Sequence, residues 1–249
     1  RSMLAFDTRE RLDAFLAALQ MVIDRHDILR TAVRWQGLSK PMQVVYRAAP
    51  LQVVDWSGTV HETALTISAD ASALSQLQKR TDPRRVRLDL QVAPLLAAHT
   101  AFDPASGEWL LALLNHHLIC DHITLALILE DIQCLLLDHP ERLLPPTPYR
   151  NFVAQSGAVS DAEHEAYFRE QLGDVEEPTT PFGVLDVHSG SERVREAQRV
   201  IDPELNRRVR KCAREHAVTP AVLFHVAWAQ VLARCSGHDD VVFGTVLSG

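Results

Sequence analysis

A nearly continuous apolar run extends from Glu108 to Asn115 and follows a turn signal at Gly107. Its length is typical of a strand, and it lacks the polar-apolar alternation of a strand that has one solvated face. The run therefore predicts a strand buried on both faces, which the rest of the chain has to cover. Apolar residues are plentiful enough for that, because 47% of the 249 residues are hydrophobic and only 23% are charged. A chain of this length forms one large domain or two small ones.

The N-terminal part of the chain changes from helical to strand-like periodicity. A capping pair, Asp7 and Glu10, precedes apolar residues at helical spacing, which predict an amphipathic helix; these are Leu12, Phe15, Leu16, Leu19 and Ile23. Alternation and turn residues then predict short strands around residues 33–35, at 44–46 and at 51–54. Residues 71–79 predict a helix, and residues 94–101 predict a strand.

Downstream of the apolar run, the sequence predicts helices with different surroundings. Residues 123–137 are apolar on all sides apart from Glu130 and Asp131, which predicts a helix buried on most sides. Asp161–Leu172 predicts a polar amphipathic helix, and the acidic stretch 173–191 is the best linker between two lobes. The remaining predictions are a strand at 194–201, helices that begin at Pro203 and at Thr219 with Pro220 in the first turn, and a strand at 241–246.

Charge and hydropathy argue against two classes of partner. Lys and Arg number 25 against 32 Asp and Glu, and the formal charge of -7 has the wrong sign for a nucleic-acid binder. The longest apolar stretches fall well short of the roughly 20 residues needed to cross a bilayer. We therefore expect neither a nucleic acid nor a membrane among the partners.

The N-terminus and the cysteines are typical of a cytoplasmic protein. The first ten residues contain no legible signal peptide, and the cysteines are widely spaced without a CxxC pair; they are Cys120, Cys134, Cys212 and Cys235. The sequence begins with Arg1 and ends directly after a strand-like run, so we expect an excerpt from a longer polypeptide.

The densest cluster of reactive side chains follows the apolar run, where strand gives way to helix. It reads Asn-His-His-Leu-Ile-Cys-Asp-His and occupies residues 115–122. If both are still extended, the adjacent His116 and His117 point to opposite faces, so at most one faces an open channel and the other is structural. Asp121 is placed to orient the local backbone or to pair with a distant Arg, which would hold the reactive imidazole in position.

Other interpretations of this cluster stay open. A histidine pair at the end of a strand is often no more than a hydrogen-bonded core feature. His116, His117, Asp121 and His122 have the residue types of a zinc site, although no remote fourth ligand motif is present. Cys120 lies near histidines in the sequence, and a Cys with a His is the residue combination of a cysteine nucleophile. A Cys in an apolar turn is, however, more often a small buried hydrophobic residue.

Three charged pairs have simpler interpretations. Glu130 and Asp131 diverge on a helix, so solvation or local pairing is favoured over joint acid-base chemistry. Arg84-Arg85 and Arg207-Arg208 are favoured as solvated faces, with contact to an acidic carrier domain as the alternative.

Four elements, taken in chain order, resemble the condensation-domain family of nonribosomal peptide synthetases. They are RHDILRT at 25–31, HHxxxD at 116–121, YRNF at 149–152 and FGTV at 243–246. The HHxxxD and RHxxLRT elements are moderate signals individually, and their joint occurrence at family-like separation is a strong one. The resemblance covers almost all of the chain.

The resemblance implies a mixed α/β (α+β) fold similar to chloramphenicol acetyltransferase, with two lobes and a tunnel between them. The HHxxxD loop is expected at the middle of that tunnel. The implied division is an N-terminal lobe at 1–172, complete or nearly complete, a linker at 173–191 and part of a C-terminal lobe at 192–249. The chain is expected to lack the family's opening strand and most of the second lobe.

The resemblance also implies formation of an amide bond between a donor acyl or aminoacyl thioester and an acceptor amine. Both groups arrive on phosphopantetheine arms, so the implied partners are carrier-protein domains and adjacent synthetase domains, and the chain itself binds no cofactor or metal. By the family's pattern, His117 assists attack of the amine as a general base, or positions the amine and stabilises the tetrahedral intermediate. His116 and Asp121 are structural in that pattern, and Arg30 is the expected ion-pair partner of Asp121.

One residue departs from the family's pattern. The family usually has Gly directly after the Asp, where the missing side chain leaves room for the pantetheine arm, but here the residue is His122. As a tunnel-lining residue, His122 would narrow the tunnel, add an ionisable group, or mark a degenerate domain that docks a carrier protein or tailoring enzyme without catalysis. An epimerisation domain of the same fold, in which His117 exchanges a proton at Cα, is a further alternative. The residues after Asp121 lack the Trp that commonly follows the motif in that class.

Overall fold

The computed structural model describes residues 1–57, 72–185 and 197–245. In chain order, its strands and helices are β1 (Ser2–Phe6), α1 (Arg9–Arg25), β2 (Thr31–Arg34), β3 (Met42–Val45), β4 (Gln52–Asp55), α2 (Ala73–Arg80), β5 (Leu96–Asp103), β6 (Glu108–Asn115), α3 (His122–Leu136), α4 (Tyr149–Ser156), α5 (Asp161–Leu172), α6 (Pro203–Glu215) and α7 (Pro220–Ser236). Short 3₁₀ turns occur between them at Asp27–Arg30, Pro140–Arg142 and Pro181–Gly183.

Four of the strands form one mixed sheet in the order β1-β6-β5-β4. β6 pairs antiparallel with both β1 and β5, and β4 pairs parallel with β5. β2 and β3 form a separate antiparallel pair. The strand predicted from the apolar run is thus confirmed, and it has a neighbouring strand along each edge.

Both faces of β6 are buried, as predicted. Leu111 and Leu113 belong to the core cluster that includes residues of α1 and α3, whereas Leu110 and Ala112 belong to a second cluster with α2. Successive side chains of a strand point to opposite faces, so the two clusters lie on opposite sides of the sheet. The strand that leads to the HHxxxD segment is therefore held from both sides.

The periodicity of α1 is confirmed, but its cap is not the predicted one. Thr8 is the N-cap, because its hydroxyl accepts a hydrogen bond of 3.2 Å from the amide of Arg11. Asp7 instead accepts a hydrogen bond from the side chain of Arg11 at 2.9 Å. The buried face of the helix packs in the main core through Leu12, Phe15, Leu19 and Ile23.

A strand precedes α1, contrary to the expectation that the chain lacks an opening strand. β1 pairs with β6 in a register that places Ser2 opposite Leu113 and Phe6 opposite Trp109. The strand has only 5 residues, and its partner lies far along the chain. The sequence does not predict β1, because the strand is short and is defined by its pairing with the distant β6.

The helix α3 is less buried than predicted. Ile128 and Ile132 are its buried residues and lie in the main core, while Leu127 and Leu136 are 55% and 47% exposed. The apolar composition predicts the helix correctly. It does not predict how much of the helix is buried, because burial depends on which other elements pack against it.

The chain divides into two compact units between Ala158 and Val159. α5 therefore belongs to the second unit, whereas the sequence predicts a lobe boundary after this helix, at 173–191. Residues 186–191 of that linker lie outside the described residues.

Helices α6 and α7 begin where the sequence predicts, after Asp202 and Thr219. The strands predicted on either side of them are wrong as far as the structure describes these segments, because residues 197–201 and 241–245 pair with no described strand. The amide of Val242 donates to the hydroxyl of Thr179 at 2.8 Å instead. Residues 194–196 and 246 lie outside the described part. None of the described helices is long and apolar enough to span a membrane alone; α6 and α7 pass that test only as a pair, across a bend of 104°.

Candidate active site

The HHxxxD segment is the connection between β6 and α3. The amide of His116 donates to the carbonyl of Leu95 at 3.1 Å, which continues the sheet by one residue past the end of β6. The amide of Ile119 then donates to the carbonyl of His116 at 3.1 Å and closes a turn. The segment is therefore a short, hydrogen-bonded turn that starts from a rigid strand.

His116 faces back into its own turn. Its ring Nδ1 accepts a hydrogen bond of 3.1 Å from the amide of Leu118, and the residue is half-buried. Because Nδ1 is an acceptor here, the neutral ring carries its proton on Nε2. This hydrogen bond stabilises the turn, so the role of His116 is structural.

His117 is exposed, unlike His116. Its imidazole has no hydrogen-bond or ion-pair partner among the residues that the structure describes. The predicted position at the strand-to-helix junction is confirmed, whereas a channel in front of the ring stays a prediction.

Ile119 and Cys120 anchor the turn in the core, and each is 3% exposed. The thiol of Cys120 lies 3.2 Å from the carbonyl oxygen of Asp121. Burial raises the pKa of this thiol, and the negative charge of Asp121 adds to the effect. Because a raised pKa keeps the thiol protonated, the structure disfavours Cys120 as a nucleophile.

Asp121 is the N-cap of α3. Its Oδ1 accepts a hydrogen bond of 2.7 Å from the amide of Thr124, and its pKa lies below the usual range. Hydrogen bonds from the amide and the side chain of Thr124 are the main causes, and the charge of His122 contributes. The carboxylate therefore stabilises the N-terminus of α3, the helix that follows the two histidines.

The expected ion pair between Arg30 and Asp121 is wrong: both residues are described, and they do not pair. The guanidinium of Arg30 donates to the carbonyl of Tyr46, while its Nε is buried without a partner. Arg30 directly precedes β2, and the amide of Tyr46, just after β3, donates back to the carbonyl of Arg30 at 2.9 Å. Local sheet geometry thus gives Arg30 an acceptor nearby, and the cap bond gives Asp121 a donor.

His122 is the first residue of α3 and is exposed. Whether its ring lines a tunnel stays a prediction. Among the described residues, no group of three or more His, Cys, Asp or Glu side chains lies close enough to hold a metal ion.

Sequence reasoning missed the roles of Arg25, His26 and Asp27, the first residues of the RHxxLRT element. His26 Nε2 lies 2.8 Å from Oδ2 of Asp131 in α3, and both oxygens of Asp27 accept from the amide of Tyr149 at 3.1 Å. The signal available in the sequence was the charge-rich triplet at the end of an amphipathic helix. Its partners lie more than a hundred residues away, so the sequence does not name them.

The charged pairs that the sequence left open find partners at different distances along the chain. Asp131 diverges from the exposed Glu130 and pairs with His26, which excludes joint acid-base work by the two carboxylates. Arg207 forms an ion pair with Glu204 on the surface of α6. This agrees with the interpretation of Arg207-Arg208 as a solvated face.

The described residues of the FGTV element, Phe243 to Thr245, lie in the second unit next to α7. Phe243 and Thr245 line a mainly apolar cavity of about 560 Å³ together with α7 residues that include Trp228. Nε2 of His225, which also lines this cavity, lies 3.4 Å from the hydroxyl of Thr245.

Comparison with known proteins identifies the family. The sequence profile of the condensation domain matches residues 1–249. The chain is 45% identical to malpinin synthetase and 46% identical to malpibaldin synthetase, both from Mortierella alpina, over 100% of its length. It spans only 3% and 4% of the length of these two relatives.

Solved structures share the fold. The cyclization-docking bidomain of the EpoB NRPS from Sorangium cellulosum is 21% identical, with a TM-score of 0.63 over 94% of this chain and 46% of that chain. The starter condensation domain of rhizomide synthetase RzmA is 21% identical, with a TM-score of 0.60 over 96% of this chain and 53% of that chain. The expected chloramphenicol acetyltransferase-like fold is thereby confirmed, with the chain spanning about half of each neighbour. On the profile match and the HHxxxD turn together, the chain belongs to the condensation-domain family of nonribosomal peptide synthetases.

Proposed function

We propose that this chain supplies the HHxxxD turn of a domain that joins a carrier-bound acyl or aminoacyl thioester to a carrier-bound amine. The state of His117 carries the proposal. Its imidazole is exposed and has no partner among the described residues, while His116, Cys120 and Asp121 around it are each held by a contact. The turn is fixed by these contacts, and the imidazole of His117 makes none of them. The ring is therefore available to a substrate.

The reaction is an acyl transfer. The amine nitrogen attacks the thioester carbonyl, a C–N bond forms, and the tetrahedral intermediate collapses with loss of the C–S bond. The neutral imidazole of His117 accepts the proton of the amine and returns it to the departing thiolate, so that proton and charge balance. His117 alternatively positions the amine and donates a hydrogen bond to the intermediate.

Carrier proteins supply both substrates on phosphopantetheine arms in this proposal, and adjacent synthetase domains are the other partners. The chain itself binds no cofactor. A cytoplasmic location is part of the proposal, supported by four cysteines that are all free thiols.

His122 supports a second candidate, a domain that docks a carrier protein without catalysing condensation. The observation is an exposed imidazole at the first residue of α3, directly after the cap, at the position for which the resemblance to the family implies Gly. A side chain there competes for space with an incoming arm.

The test is a single-turnover assay with the full-length protein, an acyl-loaded donor carrier and an aminoacyl-loaded acceptor carrier, read by intact-protein mass spectrometry. We expect the native protein to transfer the acyl mass to the acceptor and His117→Ala to slow transfer by ~10² to 10⁴-fold. His164→Ala, at an exposed position in α5, is the matched control and leaves the rate unchanged.

The remaining outcomes separate the alternatives. A native protein without turnover that gains it in His122→Gly is a docking domain obstructed by His122. Exchange of a solvent deuteron into the aminoacyl group, without transfer, indicates epimerisation. Normal turnover in both His117→Ala and His122→Gly overturns the role of the motif.

A further inference from the structure

We propose that His26 is a positioning residue, which fixes α3 and thereby the HHxxxD turn through its contact with Asp131. The proposal rests on the proposed function for its kinetic readout, but not for its structural one. His26 does not touch the turn itself, so it acts through the helix.

The contact is short and mostly shielded. Nε2 of His26 lies 2.8 Å from Oδ2 of Asp131, with the two side chains 30% and 19% exposed. Removing His26 leaves the Asp131 carboxylate with the longer contact to Arg25 Nε at 3.7 Å, and the loss of a shielded contact costs more than the loss of an exposed one. The pair joins segments that are 105 residues apart in the chain.

His26 is itself well fixed. It is the C-cap of α1, and its amide donates to the carbonyl of Val22 at 3.1 Å. Val22 and Leu19 of the same helix are fully buried in the main core. The imidazole therefore extends from a rigid helix end.

Asp131 lies on the side of α3 that faces this core. It is adjacent in sequence to Ile132 and three residues after Ile128, the two buried residues of the helix. From Asp131 to the cap residue Asp121 the helix rises about 15 Å, at ~1.5 Å per residue. A tilt or slide of α3 at Asp131 consequently moves the turn that presents His117.

The two neighbours of His26 contact other parts of the same region. Arg25 Nε lies 3.7 Å from the same carboxylate oxygen of Asp131, and its guanidinium donates to the carbonyl of Leu144. Asp27 accepts from the amide of Tyr149 at the start of α4. Three consecutive side chains thus reach α3, the loop after it and α4, which makes the end of α1 the common support of these segments.

The test compares His26→Leu with His26→Gln in the full-length protein. The Gln amide keeps an N–H donor for Asp131, while Leu removes it. His139→Leu is the matched control, because His139 also contacts a carboxylate, that of Glu141 at 3.0 Å, but the pair is exposed. Two readouts are used: hydrogen-deuterium exchange of residues 122–136, and kcat and KM for the acceptor carrier.

We expect His26→Leu to speed exchange in α3 and to lower kcat by roughly 10- to 100-fold with KM unchanged, since a small displacement of a catalytic group costs rate rather than binding. His26→Gln restores both readouts, and His139→Leu changes neither. If His26→Leu does not fold, Asp131→Asn replaces it and shows a weaker change in the same direction.

Normal exchange and normal kcat in His26→Leu overturn the proposal, and so does a His26→Gln variant as impaired as His26→Leu. Faster exchange with unchanged kcat shows a purely structural contact and also overturns it. If the native protein shows no amide formation, the proposed function fails, and the exchange readout alone decides whether His26 holds α3.

Discussion

Oδ1 of Asp121 accepts a hydrogen bond of 2.7 Å from the amide of Thr124, which makes the motif carboxylate the N-cap of α3. An N-cap satisfies a backbone donor that the helix leaves without a partner and interacts favourably with the positive end of the helix dipole. The conformation of the HHxxxD turn and the start of α3 are therefore coupled through one side chain.

Replacement of Asp121 by Ala is expected to loosen the first turn of α3 without unfolding the protein. Asn keeps the accepting oxygen, so Asp121→Asn is expected to retain most of the protection. Hydrogen exchange of the amides of residues 122–126 measures the difference. Equal exchange in the native protein and in Asp121→Ala would show that the cap is dispensable.

The same carboxylate predicts a pH dependence. Its folded pKa lies below the ordinary value of 3.8, so its contribution to stability is fully present above that value. It is lost as the pH falls through the lowered folded pKa. Protection of the first turn of α3 should follow this acid transition in the native protein and not in Asp121→Asn, which does not titrate.

Truncation of the central strand is expected to be costly. Leu111 is 0% exposed and lies in the middle of β6, so Leu111→Ala removes buried contacts and leaves a cavity, at a cost of about 2–5 kcal/mol. Leu127, which is 55% exposed on α3, is the control, and Leu127→Ala is expected to cost at most about 0.5 kcal/mol. Urea titration followed by exchange of the β6 amides gives both values, and similar costs for the two variants would contradict the assigned core.

The cysteines are expected to differ in reactivity. Burial raises the pKa of Cys120, whereas Cys212 on α6 is partly exposed. Because the thiolate is the reactive form, brief treatment with iodoacetamide near pH ~8 should label Cys212 before Cys120. Peptide mass spectrometry reads the order, and preferential labelling of Cys120 would revive the nucleophile interpretation.

His99 predicts a second pH dependence of stability, at higher pH. Burial lowers its folded pKa below the ordinary value of 6.5, and its Nδ1 accepts a hydrogen bond of 3.1 Å from Nε1 of Trp56. The unfolded state then binds more protons between the two pKa values, so stability rises with pH in that window and falls as the pH drops from 6.5 toward the folded pKa. The free energy of unfolding of His99→Gln should vary less with pH there than that of the native protein, and identical pH profiles would exclude the effect.

The elements that the sequence predicts well are those whose signals are local. The apolar run at Glu108–Asn115 and the Thr219-Pro220 start of α7 each contain their own length or cap signal, and both are confirmed. β1 is missed, and the strand predicted at 241–246 is absent over its described residues 241–245, for one reason: a strand is defined by a partner that its own residues do not specify.

The candidate site divides in the same way. The position of His116, His117 and Asp121 at the end of a buried strand follows from the local pattern. The Arg30–Asp121 pair fails because it is a long-range contact, and each residue finds a nearer partner, the carbonyl of Tyr46 and the amide of Thr124. The His26–Asp131 contact is missed for the converse reason, since its two segments meet only through the packing of α1 on α3.

The bond from the amide of Leu118 to Nδ1 of His116 gives the two adjacent histidines unequal tolerance to replacement. A side-chain acceptor that reaches the amide two residues ahead is the geometry in which Asn and Asp close Asx turns, so His116→Asn offers an isosteric oxygen in place of Nδ1. No other common side chain reproduces an exposed imidazole that both accepts and donates a proton near neutral pH. The first histidine, His116, therefore has a replacement that preserves the shape of the loop. A single change at the second, His117, leaves the loop intact but removes the imidazole to which we assign the proposed proton transfer.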